Sequence, residues 1–224
     1  MLPNYVGIQI MKKILKITLG LVMSAMMLFA FAGCGGSGEA EPTPAEEAVA
    51  ALDTTLAALK SADMTAIQEI SGDEDIFGEA EETFGSEELT QSVLKAMFGH
   101  FDYTIGTPEQ VDDSNVNVPV TVSNANMDKA VDTWFSDLMA YAMENPDIAS
   151  DETALQNKTI EMLETSVDKV AEEEDGIVTK DVVIPMVLED GQWTISDDVD
   201  EGVLDAILGG FIGAIENLTG GSGE

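Results

Sequence analysis

The sequence predicts an α+β domain, an antiparallel sheet of about four strands packed with helices, and three observations carry that expectation. Apolar residues recur at three- and four-residue steps in several runs, the period of a helix with one buried face. Val116, Val118, Val120 and Val122 alternate with polar residues, the period of a half-buried strand. Asp190-Gly191 separates two further apolar runs, a strong short-range signal for a two-residue hairpin.

Taken in order, Thr43-Pro44-Ala45-Glu46 opens the first helix, with Thr43 as N-cap, Pro44 at the first helical position and Glu46 completing a capping box. Val49, Leu52, Leu56 and Leu59 form its apolar face. Asp63 caps a short second helix through Met64, Ile67 and Ile70, and an acidic loop runs from Ser71 to Gly85. Ser86 opens a third helix carrying Leu89, Val93, Met97 and Phe98, followed by a strand, Phe101 to Ile105. In the valine-rich strand Pro119 predicts an edge position or a bulge, because proline cannot donate to a central ladder.

A long helical insert then interrupts the sheet, from about Met127 to Glu174. Its first helix carries Met127, Val131, Trp134, Leu138 and Tyr141 and stops before Pro146, and its second carries Leu155, Ile160, Leu163, Val167 and Val170. Strands return over Ile177 to Leu188 and Gln192 to Ile195. One final helix is expected through Leu204, Ile207, Leu208, Phe211, Ile215 and Leu218.

The charge is extreme: 43 acidic residues against nine basic ones, all lysines, give −34 for the whole chain. From residue 34 onward six lysines remain, a formal charge of −37. Such a field repels nucleic acid and draws in cations. With no arginine, bidentate recognition of phosphate is unavailable, so nucleotide and phosphate-ester chemistry are poor matches. The 45% apolar content argues for a packed core against disorder.

The N-terminus has a different character. Met11-Lys12-Lys13-Ile14-Leu15-Lys16 is a basic flank, Ile17 to Ala32 is uncharged, and Gly33-Cys34 follows. Translation is expected to start at Met11. Phe31-Ala32-Gly33-Cys34 resembles the bacterial lipobox, with Phe31 where leucine is usual. The resemblance implies a signal peptide over residues 1–33, removed when Cys34 receives diacylglycerol, and an added palmitate-type acyl chain. It further implies anchorage at the outer face of the cytoplasmic membrane, the Gram-positive arrangement. Residues 34–44 then read as a flexible tether, 45–219 as one domain and 220–224 as a tail. Cys34 is the only cysteine, so no disulfide or thiolate metal cluster is expected.

Three phrases, Leu56-Ala57-Ala58-Leu59-Lys60-Ser61-Ala62-Asp63, Phe101-Asp102-Tyr103-Thr104-Ile105-Gly106 and Leu188-Glu189-Asp190-Gly191-Gln192-Trp193-Thr194-Ile195, together with the element order, resemble the nuclear-transport-factor-2-like superfamily. This is the cone fold of ketosteroid isomerase, similar also to cystatin, in its branch of lipid-anchored proteins of unknown function found in clostridia. The resemblance covers roughly residues 45–218. It implies a curved antiparallel sheet wrapped around helices, a cone that holds a ligand or is filled by side chains.

Catalysis of the ketosteroid-isomerase type needs a carboxylate and a hydroxyl donor facing one cavity. Asp102 and Tyr103 are adjacent on a strand and point to opposite faces. No catalytic residue, cofactor or metal site is therefore expected, and the protein reads as a binding or interaction domain for a small apolar ligand or a protein partner. Asp73-Glu74-Asp75-Ile76-Phe77-Gly78 begins like an EF-hand loop but has Phe77 and Phe84 at ligand positions five and twelve. His100 is expected to cap a helix end or lie on the surface, Asp197 to Glu201 to cap the last helix, and Trp134, Phe135 and Trp193 to anchor the core. Asn157-Lys158-Thr159 and Asn217-Leu218-Thr219 match the glycosylation pattern by coincidence, and the last helix is expected to dock on its own domain.

Overall fold

The computed structural model describes residues 42–71, 77, 78, 81, 85–196 and 198–218. Helix α1 spans Pro44–Ser61, and its capping box is formed: the Glu46 N–H donates to Thr43 Oγ1 (3.3 Å) and the Thr43 N–H to Glu46 Oε2 (2.7 Å). Thr43 holds the Glu46 carboxyl below its usual range. Ala48, Leu52, Leu56 and Leu59 are buried, while Val49 is only half-buried. The helix ends at Ala62 in the left-handed region (φ 48°), and Gln91 clamps this turn, donating to the Ala62 carbonyl and accepting from the Met64 N–H. Helix α2 covers Met64–Ser71 and α3 covers Glu87–Phe98, capped by Ser86 as expected.

The strands are β1 (Asp102–Ile105), β2 (Glu109–Gln110), β3 (Asn115–Ala125), β4 (Ile177–Glu189) and β5 (Gln192–Ile195). They form one curled antiparallel half-barrel in the order β1-β3-β4-β5, with β2 beside β1 along β3. Val116, Val118, Val120 and Val122 point inward, opposite Met186, Ile184, Val182 and Lys180. Helices α1, α5 and α6 pack on the sheet. The outward positions Thr121, Thr179, Asp181 and Val183 remain exposed, so one face is core and the other meets solvent.

Pro119 lies in a central strand, which corrects the edge expectation, but at a bulge. Ile105 pairs with Val120 and Glu109 with Asn117, so three residues oppose two between β1 and β2. Pro119 accepts from the Gly106 N–H (2.7 Å) at that break, where its missing donor interrupts no continuous ladder.

The helical insert consists of α4 (Met127–Glu144), a 3-10 turn (Pro146–Ser150) and α5 (Glu152–Ala171). Asn126 caps α4 and Asp151 caps α5. The β4–β5 hairpin turns at Asp190 and Gly191 with φ 51° and 82°, the two positive values that a type I′ turn requires.

The single final helix is corrected to two, α6 (Glu201–Ile207) and α7 (Phe211–Leu218). Gly209 and Gly210 adopt φ 64° and 91° between them. The Gly209 carbonyl accepts from the Met127 N–H (3.0 Å), and a Cβ on Gly209 would sit 2.2 Å from the Ala125 carbonyl oxygen. The break thus lets the backbone lie against the end of β3. Phe211, Ile212 and Ile215 are buried and α7 packs on α4, the docking expected of the chain's last helix.

Two glycine substitutions separate backbone strain from collision. Gly191→Ala, with no atom near its added Cβ, should cost about 1 kcal/mol. Gly209→Ala adds a backbone collision and should cost more than about 3 kcal/mol. Urea unfolding measures both, and equal losses would contradict the account.

Candidate functional site

The β1 edge of the sheet and one flank of α1 enclose an open groove of about 680 Å³. Ala45, Val49, Asp53 and Lys60 recur on the flank of α1 at spacings that stack them along one stripe. Tyr103, Thr104, Ile105 and Pro108 form the facing wall. Ala45, Val49, Ile105 and Pro108 give one end of the groove an apolar wall, with the exposed Glu46 beside it, whereas Asp53, Lys60 and Tyr103 make the other end polar.

Tyr103 shares the inward face of β1, opposite Val122, and its ring stacks on Phe101 (centroids 6.0 Å apart), which meets Phe98 edge-on at 6.1 Å. This aromatic column fixes the ring, and the phenol emerges into the groove. There its hydroxyl donates to Asp53 Oδ1 (2.8 Å) and lies 3.2 Å from the Asp53 carbonyl oxygen. Burial, then the bond to Asp53, pushes the Tyr103 hydroxyl up to about 12, so it remains a protonated donor at neutral pH. Asp102 faces the other way and accepts from Lys60 Nζ (2.6 Å) and from the Tyr103 N–H (2.8 Å). Lys60, then that N–H, holds the Asp102 carboxyl below its usual range. The same ammonium lies 6.0 Å from the centre of the Tyr103 ring.

The opposite-face reading of Asp102 and Tyr103 therefore agrees with the structure, and each has a partner on α1 that the sequence did not indicate. Asp53 and Lys60 are seven residues apart on one helix face, a signal that becomes readable only when the strand facing that helix is known. His100 is partly exposed at the surface, one of its two expected positions, and its Nε2 lies 2.9 Å from Asp168 Oδ1 on α5. Phe77 is buried in the core, and Asp73, Glu74, Asp75 and Phe84 fall outside the described residues, as does Cys34. No cluster of three metal-ligating side chains occurs among the described residues.

Asp200 caps α6 through the Gly202 N–H (2.8 Å), as its position suggested. Trp193 is buried with its Nε1 donating to Glu47 Oε2 (3.2 Å), and the half-buried Trp134 donates to the Thr159 carbonyl (2.9 Å), joining α4 to α5. Phe135 corrects the expectation of a core anchor, being 40% exposed on the solvent face of α4. Asn157 and Asn217 are exposed, and Thr219 falls outside the described residues.

No family model and no curated protein matches the chain. The crystal structure of a candidate lipoprotein (ycdA) from Bacillus subtilis is similar at 14% identity and a TM-score of 0.40, over 88% of this chain and 56% of that one. The chain therefore spans little more than half the length of that protein.

A raised tyrosine pKa is also a statement about stability. The protonated form is favoured in the fold, so Tyr103 contributes its full share below pH 10 and loses it as pH rises toward 12. Absorbance titration near 295 nm should resolve a tyrosine ionising near pH 12 that Tyr103→Phe removes. Persistence of that phase in the variant would contradict the assignment.

Proposed function

We propose that the protein is a lipid-anchored, extracytoplasmic, non-catalytic binding protein. The observation that carries the anchoring is Cys34 itself: the sole cysteine stands at the end of an uncharged run that follows Lys12, Lys13 and Lys16. A diacylglycerol on its thiol and a palmitate-type chain on its new N-terminus would supply the two hydrophobic signals that stable anchorage needs. No helix among the described residues is long and apolar enough to cross a membrane.

We assign binding to the groove between α1 and β1, with a small amphipathic molecule as its occupant. Its apolar body would lie against Val49, Ile105 and Pro108, and its polar end would meet the Tyr103 hydroxyl and the Asp53 carboxylate. Supporting this placement, the inward face of the sheet is filled by its own valines, Ile184, Met186 and Trp193. A cone of the ketosteroid-isomerase type is the finer fold reading that goes with this proposal, with the ligand at its rim and not inside it.

One observation favours an enzyme of the same type as a second reading: a carboxylate and a hydroxyl donor do converge in the groove. Against it, Asp53 is exposed and bonded to the very hydroxyl that would have to stabilise an oxyanion, so base and donor neutralise each other's availability.

Labelling with radioactive palmitate in a Gram-positive host should mark the wild-type protein in the membrane fraction, and Cys34→Ser should remove the label and leave residues 1–33 uncleaved. A Cys34→Ser protein that still takes up label, or a wild type that takes up none, would contradict the anchoring. Native mass spectrometry of protein from that host should reveal a bound small molecule, lost when Val49→Asp places a carboxylate on the apolar wall of the groove.

A further inference from the structure

We propose that the solvent face of α4 is a docking surface for a cationic amphipathic segment of another protein. Phe135, Met139 and Met143 are 40%, 49% and 76% exposed, and at four-residue steps they form one stripe about 12 Å long. The core does not need them, because α4 packs against α5 and α7 through its opposite face, with Met127, Ala130 and Val131 buried. Two methionines beside a phenylalanine give an adaptable apolar strip that can follow the shape of an incoming side chain.

The surroundings select the partner's charge. Asp128 and Asp132 continue the same line toward the start of the helix, and both are exposed. Lys129, the one cation of α4, is held by Asp175 and by Glu173 at 3.8 Å, so it does not offset them. A basic segment with apolar residues every three or four positions complements both the strip and the acidic turns beside it. Anionic lipid headgroups would be repelled by a surface of this sign, and a second copy would bring the same carboxylates face to face.

The probe is a synthetic helical peptide of about 14 residues made of leucine and lysine, titrated calorimetrically into the chain from residue 34 onward carrying Cys34→Ser, in about 0.15 M salt. Comparison is with the triple variant Phe135→Ser, Met139→Ser, Met143→Ser, checked for an unchanged thermal transition, and with a peptide of equal charge whose leucines are serines. The wild type should bind the leucine–lysine peptide at least about tenfold more tightly than the triple variant does, and more tightly than the serine peptide. Asp128→Asn with Asp132→Asn should weaken binding several-fold and flatten its salt dependence. Equal affinity for the triple variant would overturn the proposal, reducing the interaction to general acidity. Binding of wild type to phosphatidylglycerol vesicles, or a dimer in sedimentation that the triple variant abolishes, would also overturn it by giving the stripe to a membrane or to a second copy.

Discussion

One buried amide joins the parts of this domain. Asn124, 1% exposed near the end of β3, donates through Nδ2 to the Met97 carbonyl (2.8 Å) and to the Ile207 carbonyl (2.9 Å). Those carbonyls lie in the last turns of α3 and α6, where helix geometry leaves acceptors without partners. Its Oδ1 accepts from the Ala125 N–H (2.8 Å). Buried polar groups left unpaired are costly, so this arrangement requires that both helix ends stop at the same point of the sheet. The next residues extend the junction: Asn126 N–H donates to the Gly176 carbonyl and Met127 N–H to the Gly209 carbonyl. Strand, helical insert and C-terminal helices therefore meet within four residues of β3.

From that junction the groove follows. With α3 fixed at its end, the chain enters β1 through Phe98, Phe101 and Tyr103, and their packed rings, the first pair edge-on and the second stacked, set the angle at which the phenol leaves the core. With α1 packed across the sheet, Asp53 and Lys60 arrive opposite β1 and engage Tyr103 and Asp102 separately. Two contacts then bridge helix and strand at the polar end of the groove, while its apolar end lies near the start of α1.

Much of the fold was legible from the residues. The capping box at Thr43, the valine alternation, the stop before Pro146 and the Asp190-Gly191 turn each act over a few residues, and local physics decides them. What was not legible depends on contacts between distant segments. The apolar spacing from Leu204 to Leu218 reads as one helix, and only the approach of Ala125 to Gly209 explains why it breaks. Pro119 signalled an interruption, but not that the neighbouring strand, and not its own, would supply it. Asn124 sits at an inward position of the β3 alternation, a polar residue where apolar ones precede it; the two carbonyls it serves are 27 and 83 residues away. For the groove, Tyr103 and Asp102 were visible as a strand pair, while their partners on α1 awaited the packing of that helix.

The most direct test of the account is the stability and hydrogen exchange of Asn124→Leu, which keeps the branched shape of the side chain but removes both donated bonds and the acceptor. Urea unfolding should show a loss on the order of 3 kcal/mol, the cost of two buried carbonyls without partners. Backbone amides in the last turns of α3 and α6 should lose protection together. A loss below about 1 kcal/mol, with protection at the two helix ends unchanged, would contradict the claim that this amide holds the junction.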